Sequence, residues 1–204
     1  MTQPILQIKN LVLGYDAPLN KPFSLDINEG STWAFIGDNG SGKTTLLRTL
    51  LGLVPPYSGV NFWKKDCVKS YVPQERNLDL TLPFTTKDFL NMSLITSRPY
   101  HKRPIQNEIL SLFKIEPLLR KKMSDLSGGQ KQKVLLARSL LAKPDVVFLD
   151  EAWSFLDEET KTIFTSWIES KKGHFTLIFV EHHEAQIRKM ADHVLKIGHE
   201  ITKL

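Results

Sequence analysis

The run Gly37-Asp38-Asn39-Gly40-Ser41-Gly42-Lys43-Thr44-Thr45 sets glycines, one lysine and adjacent hydroxyls in the spacing G-x-x-x-x-G-K-[ST]. Each residue type there has a chemical reason. Backbone N–H groups that must turn inward on phosphate oxygens need glycines, because a Cβ would obstruct the approach. Gly37, Gly40 and Gly42 meet that need, and Asn39, Ser41 and Thr45 complete the cradle. Lys43 can reach β- and γ-phosphates as a point charge, and Thr44 can offer its hydroxyl to Mg²⁺. A helix starting here would point its positive dipole end at the anion. The implied ligand is a nucleoside triphosphate with Mg²⁺.

Further stretches carry chemistry. Val146 to Leu149 is a continuous apolar run ending in Asp150-Glu151. Ligands of open α/β sheets bind at the carboxyl ends of such strands. Asp150 can hold Mg²⁺ through water, and Glu151 can accept a proton from an attacking water. Ser127 is a good N-cap for a helix from Gly128 to Ala142, yet Gly128 and Gly129 at its start weaken it, which suggests N–H groups kept bare for an anion. The strand Thr176 to Val180 leads into Glu181-His182-His183, where a histidine could hydrogen-bond a γ-phosphate. With His193 and His199, the adjacent histidines also raise a metal site, but the spacing matches no compact ligand set. Tyr15, in Gly14-Tyr15-Asp16, has two readings: a packing residue for a small sheet, which its position favours, or a platform for an adenine ring.

The elements that must position these residues follow from periodicity. Ile5 to Leu11 and Phe23 to Ile27 alternate as half-buried antiparallel strands do, and Thr32 to Ile36 is the buried strand before the glycine loop. Leu46, Leu47, Leu50, Leu51 and Leu53 give the following helix its apolar face. Pro55 to Gly59 reads as a turn and Lys69 to Val72 as a short strand ending at Pro73-Gln74. From Glu75 to Met123, prolines punctuate short helical patterns at Thr86 to Leu94 and Pro104 to Phe113, as in a helical lobe inserted into an α/β core. Helix Glu158 to Ser170, strand Thr176 to Val180, helix Glu184 to Ala191 and short strands at Val194 to Ile197 and Ile201 to Leu204 complete a β/α alternation.

The chain has 204 residues, 41% of them hydrophobic, and fits one α/β unit with an inserted lobe. No apolar run reaches the ~20 residues of a membrane span, and the start lacks the basic and apolar regions of a secretory signal. A cytosolic chain is expected. The single cysteine, Cys67, excludes an internal disulfide. The net charge of +5 is spread over small clusters such as Arg120-Lys121-Lys122, which read as solvated faces, and no direct nucleic-acid contact is expected.

With these residues in place, the chain resembles the ATP-binding subunit of ABC transporters over almost its whole length. Leu126-Ser127-Gly128-Gly129-Gln130 is that family's LSGGQ signature, Gln74 falls at its Q-loop, Val146 to Glu151 matches Walker B, and Ser154-Phe155-Leu156-Asp157 lies at its D-loop. Tyr15 takes the place of the adenine-stacking aromatic, and His182, ten residues before Asp192, that of the switch histidine. The resemblance implies a phosphate-loop NTPase (RecA-like) core over 1–74 and 140–204, a small antiparallel β subdomain, and an α-helical lobe over about 75–139. It further implies a head-to-tail dimer with a second copy, two ATPs being sandwiched between one subunit's phosphate loop and the other's Ser127, Gly128, Gly129 and Gln130. Glu151 and His182 would be catalytic, Thr44, Gln74 and Asp150 would organise Mg²⁺, and Asp157 would belong to the D-loop. An integral membrane permease would dock on the lobe, at the cytoplasmic face of the inner membrane.

The chain departs from the family pattern where Ala152 replaces a proline, Glu181 a small hydroxyl residue and Phe155 a small residue. Tyr71 to Arg76, Leu78-Asp79 and Leu82 to Thr85 are similar to ATPase subunits of zinc and manganese importers. No C-terminal regulatory domain or histidine-rich tail is expected. The alternatives are a soluble ABC-type ATPase acting on nucleic acid or ribosomes, and a subunit of an exporter or lipid transporter.

Overall fold

Val146–Asp150 and Thr176–Val180 are buried at every residue, as strands covered on both faces must be. They are β6 and β7 in a computed structural model that describes residues 4–74, 83–92, 107–181 and 184–204. Thr32–Ile36 (β3), Lys69–Val72 (β5) and His193–Lys196 (β8) lie parallel to them in the order β5-β6-β7-β3-β8. Thr202–Lys203 (β9) adds an antiparallel edge beside β8. Pro4–Val12 (β1), Phe23–Asn28 (β2) and Ser58–Trp63 (β4) form a separate antiparallel sheet with β1 in its middle.

Because strand side chains alternate between faces, the parallel sheet feeds two cores. Ala34, Val147, Leu149, Leu177 and Phe179 enter one of them. Five helices contribute to it: Thr86–Met92 (α2), Asn107–Leu112 (α3), Gly128–Leu141 (α4), Glu158–Ser170 (α5) and Glu184–Met190 (α6). Trp33, Phe35, Val146, Phe148, Ile178 and Val180 enter the other, beneath Lys43–Leu50 (α1) and the antiparallel sheet. Helix α1 is thus held between two sheets. The short 3-10 turns Glu116–Leu118 and Met123–Asp125 deliver Leu118 and Met123 to the first core, so the helical part and the sheet share one apolar interior. Each such burial contributes about 1.5–3 kcal/mol.

The structure corrects two readings. Strand β4 stands where a turn through Gly59 is expected from the sequence. Its alternation is inverted: Val60 and Phe62 face solvent while Gly59 and Asn61 face inward, and this hides it from a pattern search. Gly59 presses against β1, where an added Cβ would lie 2.1 Å from the Asn10 carbonyl oxygen. Strand β1 is not half-buried: Ile5 and Leu6 are both covered, since register shifts beside Pro4 and Asn10 break its alternation. Helix α4 runs without a break from Gly128 to Leu141. Of the two helical patterns in the lobe, the stretches 93–94 and 104–106 lie outside the described residues.

Candidate nucleotide site

The loop after β3 is shaped by its own chain before any ligand is considered. Gly37 has φ +148°, and a Cβ on it would lie 2.3 Å from the Ile197 carbonyl oxygen beyond β8. Sequence reasoning assigns this glycine to close phosphate approach, whereas its crowding comes from backbone. Gly40, by contrast, has nothing within 4 Å of its Cβ position and faces the open cavity. Gly42, at φ 98°, is the N-cap of α1 and offers no side chain to the first-turn N–H groups.

Lys43 is only 6% exposed, and its ammonium donates to the carbonyl oxygens of Gly37 at 2.9 Å and Asp38 at 2.8 Å. The lysine therefore braces the loop from within. Thr44 Oγ1 donates to Asp150 Oδ1 at 3.2 Å, which ties α1 to the end of β6. Tyr71 on β5 donates its hydroxyl to the other oxygen, Oδ2, also at 3.2 Å. Burial pushes the Asp150 carboxyl above its usual range, against the two hydroxyls, which favour its anion, and with the neighbouring Glu151 charge adding to the rise. Burial, followed by the charge of Asp150, pushes the Tyr71 phenol up to about 12.

Glu151, one residue past the strand, adopts φ +50°, a left-handed conformation rare for a side-chain-bearing residue. Its amide donates to the Val180 carbonyl at 3.3 Å, and its carboxylate accepts a hydrogen bond from Gln74 Nε2 at 2.5 Å. Strain of this kind is held in place only by surroundings that over-determine it. An open cavity of about 410 Å³ brings together Asn39, Gly40, Gly42, Lys43, Thr44, Thr45, Gln74 and Glu151. Leu19 also lines it, half-exposed, and no sequence signal marks that residue. Tyr15 is 63% exposed on the loop before Leu19 and outside the cavity lining, so the packing reading of it fails. Gly37, Ser41 and Asp150 lie outside the lining, and of these Gly37 and Asp150 accept hydrogen bonds from two lining residues, Lys43 and Thr44.

Ser127, Gly128, Gly129 and Gln130 do not line this cavity. They start α4 at the surface, where Ser127 and Gln130 form a reciprocal capping box that leaves the Gly128 and Gly129 amides to other acceptors. The expected bare helix start is therefore half-capped. The same turn grips the segment after Glu151. Gln132, fully buried, donates to the Ala152 carbonyl at 3.0 Å, Lys133 pairs with Asp157 at 2.6 Å, and an added Cβ on Gly129 would lie 3.0 Å from the Phe155 carbonyl. Asp157 caps α5 by accepting from the Thr160 amide at 2.8 Å. The Lys133 ammonium and then Thr160 hold its carboxyl well below the usual carboxylate range. Ala152 and Trp153 are buried while Phe155 is 38% exposed, so of the departures in this segment only Phe155 reaches the surface.

His182 and His183 lie outside the described residues, immediately after the buried Glu181. Among the described residues no cluster of three or more His, Cys, Asp and Glu side chains could hold a metal ion, and His193 packs on Trp33 with ring centroids 4.5 Å apart. No helix among the described residues is long and apolar enough to cross a membrane.

A family model described as ABC transporter matches residues 20–154. The zinc import ATP-binding protein ZnuC of Rickettsia bellii is 36% identical over 204 residues, covering 98% of this chain and 85% of that protein. ZnuC of Rickettsia prowazekii is 34% identical, with 99% and 90% covered. Among solved structures, the dimeric post-hydrolysis state of the ATP-binding cassette MJ0796 bound to ADP and Pi superposes with a TM-score of 0.82. It is 22% identical, with 98% of this chain and 97% of that one covered.

Proposed function

As the chain belongs to the ABC transporter family and is an ATP hydrolase of that family, we propose that it powers transport through a separate membrane permease, acting as a head-to-tail dimer at the cytoplasmic face of the inner membrane. The observation that carries this reading is the single cavity on which Lys43, Thr44, Gln74 and Glu151 converge, while Ser127 to Gly129 stand outside it on an exposed helix start. A site built this way is complete only when a second copy brings its own Ser127 to Gly129.

ATP would lie along Asn39 to Thr45, with the open N-terminus of α1 facing its phosphates. Lys43 would exchange the Gly37 and Asp38 carbonyls for phosphate oxygens. The donor set beside it, the Thr44 hydroxyl and the Asp150 carboxylate with the Gln74 amide nearby, consists of hard oxygens and fits Mg²⁺. Mg²⁺ bound there would supply charge neutralisation at the β- and γ-phosphates. Glu151 would take the proton from the attacking water, oriented meanwhile by Gln74. His182 would hold the γ-phosphate, as the family resemblance implies, and Tyr15 would meet the adenine with its exposed ring.

The ZnuC relatives and the loop Tyr71 to Arg76 favour divalent metal as cargo, admitted by the permease and not by this chain. The isosteric substitution Glu151→Gln tests the chemistry. It should retain ATP binding, lengthen the life of the closed dimer and lower hydrolysis by about 10²–10⁴-fold, the range for a lost general base. Hydrolysis at the unsubstituted rate would remove Glu151 from the mechanism. Affinity capture of the tagged chain from detergent-solubilised membranes tests the transport reading. A multi-span protein recovered in equal amount supports it, and recovery with ribosomes or nucleic acid refutes it.

A further inference from the structure

We propose that Tyr71 is a positioning residue for Asp150, fixing which carboxylate oxygen faces the cation. The inference rests on the assignment of Asp150 to Mg²⁺. Asp150 is 1% exposed, and each of its oxygens is approached by a hydroxyl from a different element: Oδ1 by Thr44 of α1 and Oδ2 by Tyr71 of β5, both at 3.2 Å. Strands β5 and β6 pair with Tyr71 opposite Phe148, so the phenol reaches two residues forward along the neighbouring strand to the carboxylate at its end. Both side chains lie on the face that feeds the core beneath α1, and the partly buried Tyr71 ring packs against that core.

The two hydroxyls have different fates. Thr44 sits in the cavity lining, and its oxygen is the one that would turn to a cation arriving with nucleotide, releasing Oδ1. Tyr71 is not in that lining and has no such competing partner there. Oδ2 therefore stays engaged, Oδ1 is the atom presented to the incoming ion, and the carboxylate cannot rotate to offer either oxygen at random. At 3.2 Å both contacts exceed the ~2.7 Å of a relaxed hydroxyl–oxygen bond, so they orient the anion without saturating it.

The experiment compares the full chain with Tyr71→Phe, which keeps the packed ring and removes one oxygen, and with Asp150→Asn. Binding of a fluorescent ATP analogue is measured in EDTA and across a Mg²⁺ titration, with thermal melts as a check on folding. Tyr71→Phe should leave binding in EDTA unchanged and raise the Mg²⁺ concentration at half-effect about three- to tenfold, the range for loss of one long hydrogen bond of ordinary net strength. Asp150→Asn should raise it further. An unshifted Mg²⁺ midpoint in Tyr71→Phe alongside a shifted one in Asp150→Asn would overturn the role of Tyr71 alone. Equal weakening of Tyr71→Phe with and without Mg²⁺ would reduce that residue to packing. An unshifted Asp150→Asn would instead overturn the cation assignment beneath the inference.

Discussion

Two glycines of one loop should fail in opposite ways when given the same methyl group. At Gly37 the added Cβ would meet the Ile197 carbonyl oxygen at 2.3 Å, well inside the 3.0 Å that such contacts do not cross, and the obstacle is backbone. The φ of +148° adds the strain of a conformation alanine avoids, of order 1–3 kcal/mol. Forcing the loop away from the end of β8 adds a further ~1–3 kcal/mol, the usual penalty of overpacking. Gly37→Ala should therefore destabilise the fold by about 4 kcal/mol. At Gly40 the φ of +79° carries only the left-handed penalty of about 1–2 kcal/mol, because nothing lies within 4 Å of the new carbon. That empty space is the cavity itself, so Gly40→Ala places its methyl where phosphate would lie. The assay is urea unfolding together with equilibrium binding of a fluorescent nucleotide, and at ~2–4 °C per kcal/mol the two variants should also differ in Tm by roughly 5–10 °C. Gly37→Ala should lose stability first, while Gly40→Ala stays folded and binds nucleotide at least about tenfold more weakly, one such steric conflict being worth ~1.4 kcal/mol or more. Equal stability of the two variants would refute the claim that the backbone beyond β8 dictates the first glycine of the loop.

Asp157→Ala removes the cap of α5 and should destabilise the protein by about 1 kcal/mol at pH 7. The Asp157 carboxyl lies below its ordinary pKa in the fold, so its contribution is present above that value, about 3.8, and is lost as pH falls below it. The difference between variant and parent in urea melts should accordingly shrink on acidification, and a difference that grew would contradict the Lys133 and Thr160 contacts. Cys67 makes a reactivity prediction. Burial, and then the charge of Asp145, pushes its thiol up to about 11, so at pH 8 it should react with iodoacetamide on the order of a hundredfold more slowly folded than unfolded. The folded rate should climb through pH 10, and a plateau below pH 9 would contradict the burial.

What could be read from the chain alone follows the reach of each interaction. Helix α5 is legible to the residue because its cap, Asp157, and its apolar period are local, and the same holds for the continuous apolar runs of β6 and β7. Strand β4 is not legible, because Asn61 and Gly59 face inward for reasons set by contacts with other elements, Asn61 with the end of α1 and Gly59 with β1. In the site, motif spacing gives Lys43, Thr44, Asp150 and Glu151. The joins between them, Tyr71 to Asp150 and Gln74 to Glu151, cross seventy or more positions and leave no periodic trace. Leu19 enters the cavity from a loop with no pattern at all.

The two ends of α1 are treated unequally. Beyond its last turn, Trp63 Nε1 at 2.8 Å and Asn61 Nδ2 at 3.3 Å both donate to the Leu50 carbonyl, and Arg48 adds a cation nearby. At the other end, Gly42 supplies no cap. In electrical terms, one pole of a small battery is insulated by the antiparallel sheet and the other is left as a bare contact at the cavity. No residue of strand β4 lines the cavity, yet by quenching the negative pole the strand leaves the positive one uncompensated, and so contributes to anion attraction from the far end of the helix.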